Sequence, residues 1–304
     1  MNKHLVVVTG PTAIGKTECG IHLARHFQTE IISADSRQIY RETAIGTAVP
    51  SREELEQAKH HFIQTIPVEQ YYNASLYEFE VLDLLNTLFQ KVDLVLMVGG
   101  SGLYIDAVCS GIDDLPAVDR DIRESLAEQY RNKGLNALTK TLKKLDPASY
   151  EKVDLKNPLR ILKALEVSIQ TGQPYSTFLK NERKKRDFGI IRLALDMERE
   201  QLYSRINSRV ERMMETGLLD EVRKLSPLRN CTALKSVGYR ELFQFLDGTV
   251  RLEDAVDQIK GNTRKYARKQ MTWFRKDNLY RWFHPADVQG MIAWVESEIN
   301  KSIK

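Results

Sequence analysis

A strand, a glycine-bracketed loop and a helix open the chain, and this arrangement restricts its fold more than any other feature. Leu5-Val6-Val7-Val8 is a short β-branched run, and Ile21, Leu23, Ala24 and Phe27 follow at helical spacing. Between them, Gly10-Pro11-Thr12-Ala13-Ile14-Gly15-Lys16-Thr17 fits GxxxxGK[ST]. The glycines let backbone N–H groups converge on an anion, and the helix aims its positive end at the same point. Lys16 adds a mobile cation, and Thr17 can hold Mg²⁺. The motif predicts a phosphate site but does not name the ligand, since a diphosphate of any kind could occupy it.

Further buried-strand patterns come later in the chain. Glu30-Ile31-Ile32-Ser33-Ala34 ends at Asp35, and Asp93 to Val98 ends at Gly99-Gly100-Ser101-Gly102. Ile190 to Leu195 and Leu279 to Phe283 are additional strand candidates. Continuous apolar strands separated by helical patterns predict an α/β fold, a P-loop NTPase-like parallel sheet. A long segment rich in Leu, Lys and Glu lies before Ile190, broken by Pro147, Pro158 and Gly172-Gln173-Pro174. At 304 residues the chain holds about two domains. The expected organisation is a P-loop core over 1–114 and 189–304, with basic C-terminal helices, interrupted by a helical insertion over 115–188. The run Arg183-Lys184-Lys185-Arg186 at its far end reads as a solvated loop.

Composition excludes several classes. Leu5 to Val8 and Leu94 to Val98, among the longest apolar stretches, fall far short of the roughly 20 residues that cross a bilayer, so no membrane partner is expected. The four apolar residues before Thr9 are too few for a secretory signal, and a cytoplasmic address is expected. Cys19, Cys109 and Cys231 are too far apart for a zinc half-site and read as buried, reduced thiols. His60-His61 lacks a Cys or acidic partner at ligand spacing, so it reads as core or surface rather than metal-binding.

The net charge of +4 permits a nucleic-acid partner without establishing one. Between 260 and 281, however, eight basic residues (Lys260, Arg264, Lys265, Arg268, Lys269, Arg275, Lys276, Arg281) face one acid, Asp277. Arg264 with Arg268, and Lys265 with Lys269, recur at i, i+4, and Tyr266, Trp273 and Phe274 are interleaved. Such a one-signed stripe favours phosphate-backbone binding over a plain solvated helix with its aromatics in the core.

Most P-loop NTPases complete their Mg²⁺ site with an acid at a strand end. Here the strand over 94–98 ends in glycines and serine, which leaves Asp35. Asp35 could bind Mg²⁺ through water, accept a proton from an acceptor substrate, or cap the next helix. Arg205 and Arg209 lie four apart on one helical face and could reach the phosphates or form surface ion pairs.

Six segments together resemble the bacterial tRNA dimethylallyltransferase family: GPTAIGKT (10–17), SADSRQIY (33–40), GGSGLYIDA (99–107), NPLRILKALEV (157–167), SVGYREL (236–242) and TRKYARKQMTWFRK (263–276). The resemblance runs from residue 5 to about 283. It implies transfer of a dimethylallyl group from dimethylallyl diphosphate to N6 of adenosine 37 in the tRNA anticodon loop, with Mg²⁺, by a cytoplasmic monomer. On this basis Gly10 to Thr17 would hold the diphosphate and Asp35 would be the base. Lys16, Thr17, Ser101 and Arg205 would assist, with Ser101 standing where the family has threonine. Ser36, Arg37, Gln38, Arg123 and the segment Leu159, Arg160, Ile161, Leu162, Lys163 would contact the anticodon stem-loop. Arg264, Lys265, Arg268 and Lys269 would hold its backbone. The family usually reads Gln-Arg-Ile-x-Arg where this chain has Leu159 to Lys163, so an amide and a guanidinium fork are lost there. A P-loop kinase, a prenyltransferase of free adenine nucleotides and a non-catalytic RNA-binding ATPase are the competing readings. The kinase and the nucleotide prenyltransferase leave the basic stripe unexplained, and the lack of an acid at the strand end over 94–98 counts against the ATPase.

Overall fold

The computed structural model describes residues 3–180 and 182–303. β1 (His4–Thr9) leads through the P-loop into α1 (Lys16–His26), followed by β2 (Ile31–Ser33), α2 (Arg52–Gln57), β3 (His60–His61) and α3 (Ala74–Leu88). β4 (Leu94–Gly99) and α4 (Gly102–Ser110) precede α5 (Arg120–Leu145), α6 (Pro147–Lys152) and α7 (Pro158–Thr171). The chain continues through β5 (Gly189–Leu195), α8 (Arg199–Glu215), α9 (Leu218–Lys224), α10 (Tyr239–Leu246), α11 (Leu252–Phe274), β6 (Arg281–Phe283) and α12 (Val288–Ile303).

The strands form one sheet in the order β3-β2-β4-β1-β5-β6, with every pairing parallel. β1 and β4 are buried at every position, which is why both read as unbroken apolar runs rather than as alternation. In the adjacent register Thr9 stands opposite Gly99 of β4 and Ala194 of β5. The P-loop therefore leaves the middle of the sheet's carboxyl edge, flanked by the exits of β4 and β5, where an open α/β sheet binds its ligands. Val6, Val8, Leu96, Val98 and Leu193 pack with Ile21 and Leu23 of α1, Leu202 and Ile206 of α8, and Met291 and Val295 of α12. His60-His61 is a short edge strand beside β2, where His61 pairs with Glu30 at 2.6 Å. Cys19 and Cys109 are buried, but Cys231 is only half-buried, a departure from the expectation for all three.

The chain divides into two compact units. The first comprises the residues up to Ser110 and from Lys185 onward; the second is Gly111–Lys184, where the sequence pattern predicts an insertion over 115–188. The second unit has its own small core, built by Leu126, Leu138 and Leu142 of α5 with Ile161, Ala164 and Leu165 of α7. Its α5 is interrupted at Gly134, which adopts a left-handed φ of 72°.

The basic run 183–186 is not simply a solvated loop. Arg186 is half-buried with a side chain only 9% exposed; it pairs with Glu78 of α3 at 2.6 Å and donates to the carbonyls of Ala107 and Val108 at 2.8 Å each. A charge removed from water needs such a full set of partners. Among the described residues no helix is long and apolar enough to cross a membrane.

Candidate active site

The P-loop geometry follows from its sequence. Gly15, at φ 108°, occupies the left-handed region directly before α1, where an L side chain would be strained. Ala13 holds φ 66° without that freedom, a local strain of the kind concentrated at binding loops. The Lys16 ammonium donates to Pro11 O at 2.8 Å. Burial, and then the Arg209 guanidinium, lower its pKa from the usual 10.5 to about 7, with Asp35 acting in the opposite sense.

The i, i+4 spacing on α8 brings both arginines to the loop. Arg209 Nη1 donates to Thr12 Oγ1 at 3.5 Å, and a Cβ on Gly15 would stand 3.5 Å from Arg205 Nη2. Arg205 is the more exposed of the two. Burial, followed by the neighbouring charges of Arg212 and Arg205, depresses Arg209 below the ordinary arginine range. The family resemblance points to Arg205; the structure adds Arg209, whose only sequence signal is that spacing.

Asp35 leaves β2 at the same edge. Its Oδ1 accepts Arg37 N–H at 2.9 Å and Gln38 N–H at 3.3 Å, so it caps a turn, although no helix follows it. Asp35 also lines a cavity of about 420 Å³ with Thr12, Arg209, Arg37 and Lys235, whose apolar wall includes Val210, Met213, Leu218 and Ile259. A phosphate-binding end thus adjoins a carboxylate and a small apolar chamber.

Gln38 donates its amide to Thr47 O at 3.2 Å and Ala48 O at 2.9 Å. It braces the 46–48 wall of the cavity. Glu221 holds the same loop from the other side, accepting Ile45 N–H at 2.7 Å, Gly46 N–H at 2.9 Å and Tyr239 O–H at 2.6 Å. Tyr239 packs so closely that a Cβ on Gly46 would lie 2.5 Å from its hydroxyl. This explains part of the SVGYREL segment; Glu221 itself carries no sequence signal.

A second cavity, of about 260 Å³, lies beside the first and shares Ser36 and Tyr266 with it. Ser101, Tyr104, Lys269 and Trp273 are also in its lining. Ser101 Oγ accepts Ser36 N–H at 2.9 Å and donates to Ser36 Oγ at 3.2 Å, joining the exits of β4 and β2. Tyr266 and Trp273 are 43% and 40% exposed, so only Phe274 of the three interleaved aromatics is core. Trp273 is anchored by its indole N–H to Asp106 at 3.0 Å.

The basic stripe divides along α11. Lys265, Arg268 and Lys269 are exposed. Arg264 is turned inward, donating to Asn207 Oδ1 at 2.6 Å, and Lys260 pairs with Glu211 at 2.7 Å.

The remaining site candidates belong to the second unit. Leu159 is 69% exposed and lines a depression there with Arg160, Lys163 and Lys152. Ile161 is a correction: it is fully buried in that unit's core, because its position on α7 faces α5, and its side chain is not available to RNA. Leu162 packs partly against the same core, and Arg123 lies 3.8 Å from Glu166.

Fold and site together define a P-loop α/β protein in which Thr12 of the loop lines the first of two neighbouring cavities. The family model described as IPP transferase matches residues 38–277, and the chain belongs to that family. It is 46% identical to tRNA dimethylallyltransferase 1 of Bacteroides fragilis over 98% of this chain and 99% of the relative. It is 44% identical to the tRNA dimethylallyltransferase of Cytophaga hutchinsonii over 99% of both. The solved full-length tRNA isopentenylpyrophosphate transferase of Bacillus halodurans superposes with a TM-score of 0.73 at 32% identity, covering 99% of this chain and 98% of that one.

Proposed function

We propose that this protein transfers a dimethylallyl group from dimethylallyl diphosphate to N6 of adenosine 37 in the tRNA anticodon loop. The observation that carries the reading is that Asp35 shares a cavity with Thr12 of the P-loop and with Arg209, next to an aromatic cavity lined by Tyr104, Tyr266, Trp273 and the exposed Lys269. Relatives alike over nearly the whole chain, named for this activity, support it.

The extruded adenine enters the cavity lined by Tyr104, Tyr266 and Trp273, where stacking compensates part of the few kcal/mol spent on leaving the stack of the anticodon loop. Its exocyclic amine attacks C1 of the prenyl group as the bond from C1 to the diphosphate oxygen breaks. That amine is a weak nucleophile, so Asp35 accepts its proton as the C–N bond forms. Lys16, Arg205, Arg209 and the loop N–H groups other than that of Thr12, which is given to Gln270 Oε1, stabilise the charge gathering on the departing diphosphate. The five-carbon tail lies against Val210, Met213, Leu218 and Ile259.

Thr17 offers a single hard oxygen to Mg²⁺. Among the described residues no group of three or more His, Cys, Asp and Glu could hold a metal ion, so Mg²⁺ would share its coordination between Thr17, phosphate oxygens and water. When bound it neutralises leaving-group charge. Every residue used in this chemistry lies in the first unit.

Incubation with labelled dimethylallyl diphosphate, Mg²⁺ and an anticodon stem-loop carrying adenosine 37 is expected to label the RNA. Label on free AMP alone would redirect the reading to a nucleotide prenyltransferase, and ATP consumption without RNA labelling would redirect it to a kinase or ATPase.

A further inference from the structure

Among the side chains that line the aromatic cavity, one takes no part in the proposed transfer chemistry. Gln270 of α11 is 7% exposed. Its Oε1 accepts the Thr12 N–H at 2.9 Å, and its Nε2 donates to Gly100 O at 2.8 Å. Thr12 belongs to the phosphate loop; Gly100 closes the exit of β4, one residue before Ser101 of the aromatic cavity. A primary amide can accept from one backbone group while donating to another, which neither a carboxylate nor a hydrocarbon can do. Gly100 is matched to it, since a Cβ there would stand 2.4 Å from Gln270 Nε2. The same Cβ would lie 3.5 Å from Lys16 Nζ, which places the amide at the mouth of the loop. Gln270 directly follows Lys269, one of the exposed cations of α11.

We propose that Gln270 is a positioning residue, a two-sided strut that registers the phosphate loop against the β4 exit and the RNA-facing helix. It fixes the line from the departing diphosphate through C1 to the acceptor amine. Thr12 N–H is thereby directed to the strut and away from the anion. The inference rests on the prenyl-transfer reading.

The test uses the full chain in single-turnover transfer of labelled dimethylallyl to the stem-loop, both substrates saturating, alongside stem-loop affinity and the far-ultraviolet dichroism of each variant. Gln270→Leu is expected to slow transfer roughly 10²-fold, the scale of a displacement of about 1 Å in reacting geometry, with RNA affinity and dichroism unchanged. Gln270→Glu keeps acceptance from Thr12 but loses donation to Gly100, and should also slow transfer. Gly100→Ala, which forces the amide aside, should reproduce the loss, and the double variant should be no slower than Gln270→Leu alone. Wild-type transfer rates in Gln270→Leu, or losses that multiply in the double variant, would overturn the proposal. If Gln270→Leu does not fold, Gly100→Ala decides: a wild-type rate there overturns it. Absence of transfer by the wild-type chain would sink the prenyl-transfer reading instead, a result distinct from unequal variants of an active enzyme.

Discussion

Asp35 illustrates how one carboxylate can serve structure and chemistry together. One oxygen caps the turn over 36–38 while the residue borders the reaction cavity. Asp35→Asn keeps the capping oxygen and removes the proton acceptor, so it separates the two duties. Turnover should fall by at least about 10²-fold, with stem-loop affinity retained in a filter-binding assay. Lys16 gives a pH signature. With a pKa of about 7 in the free protein it is charged below that pH and neutral above it. A bound diphosphate favours the charged form, so its pKa rises on binding and a proton is taken up. Diphosphate affinity should therefore weaken as pH climbs above about 7. Calorimetry at pH 8 in buffers of different ionisation heat should detect the uptake, and Lys16→Met should lose that component. The loop, Lys16, Asp35 and Ser101 are legible as local motifs. Arg209 is legible only through its spacing from Arg205, and the roles of Glu221 and Gln270 are not, because each acts on a residue far away in the chain that only the fold brings near.

At the scale of elements, α11 joins charge to shape. Its exposed cations are Lys265, Arg268 and Lys269, while its buried face carries Ala267, Gln270 and Phe274. Sequence periodicity identifies the stripe but counts Arg264 and Lys260 as free charges, when both are engaged within the protein. The slope of log affinity for the stem-loop against log salt should thus shrink by about 0.7 for each of Lys265→Gln and Arg268→Gln, and by less for Lys260→Gln. Equal changes at all three positions would place the RNA elsewhere. The strands β1, β2, β4 and β5 are readable because buried parallel strands are continuous apolar runs. β3, two histidines long, offers no such run.

For the whole molecule, the decisive property is that each unit carries its own core. Leu165→Ala, at a fully buried position of the second unit, should cost about 2–5 kcal/mol. Hydrogen exchange should accelerate across 111–184 while amides of β1 and β4 keep their protection, and uniform acceleration would show instead that the chain opens as one. Arg186 gives the division a practical meaning. Its guanidinium binds the carbonyls of Ala107 and Val108, so the last turn of the outgoing helix and the first residues of the returning chain are stapled together within the first unit. The ends of everything between them are already held side by side, and the entropy of closing an interposed segment grows only slowly with its length. A designer could treat 111–184 as an exchangeable cassette, splicing in a different folded module while the first unit keeps its staple and its own core.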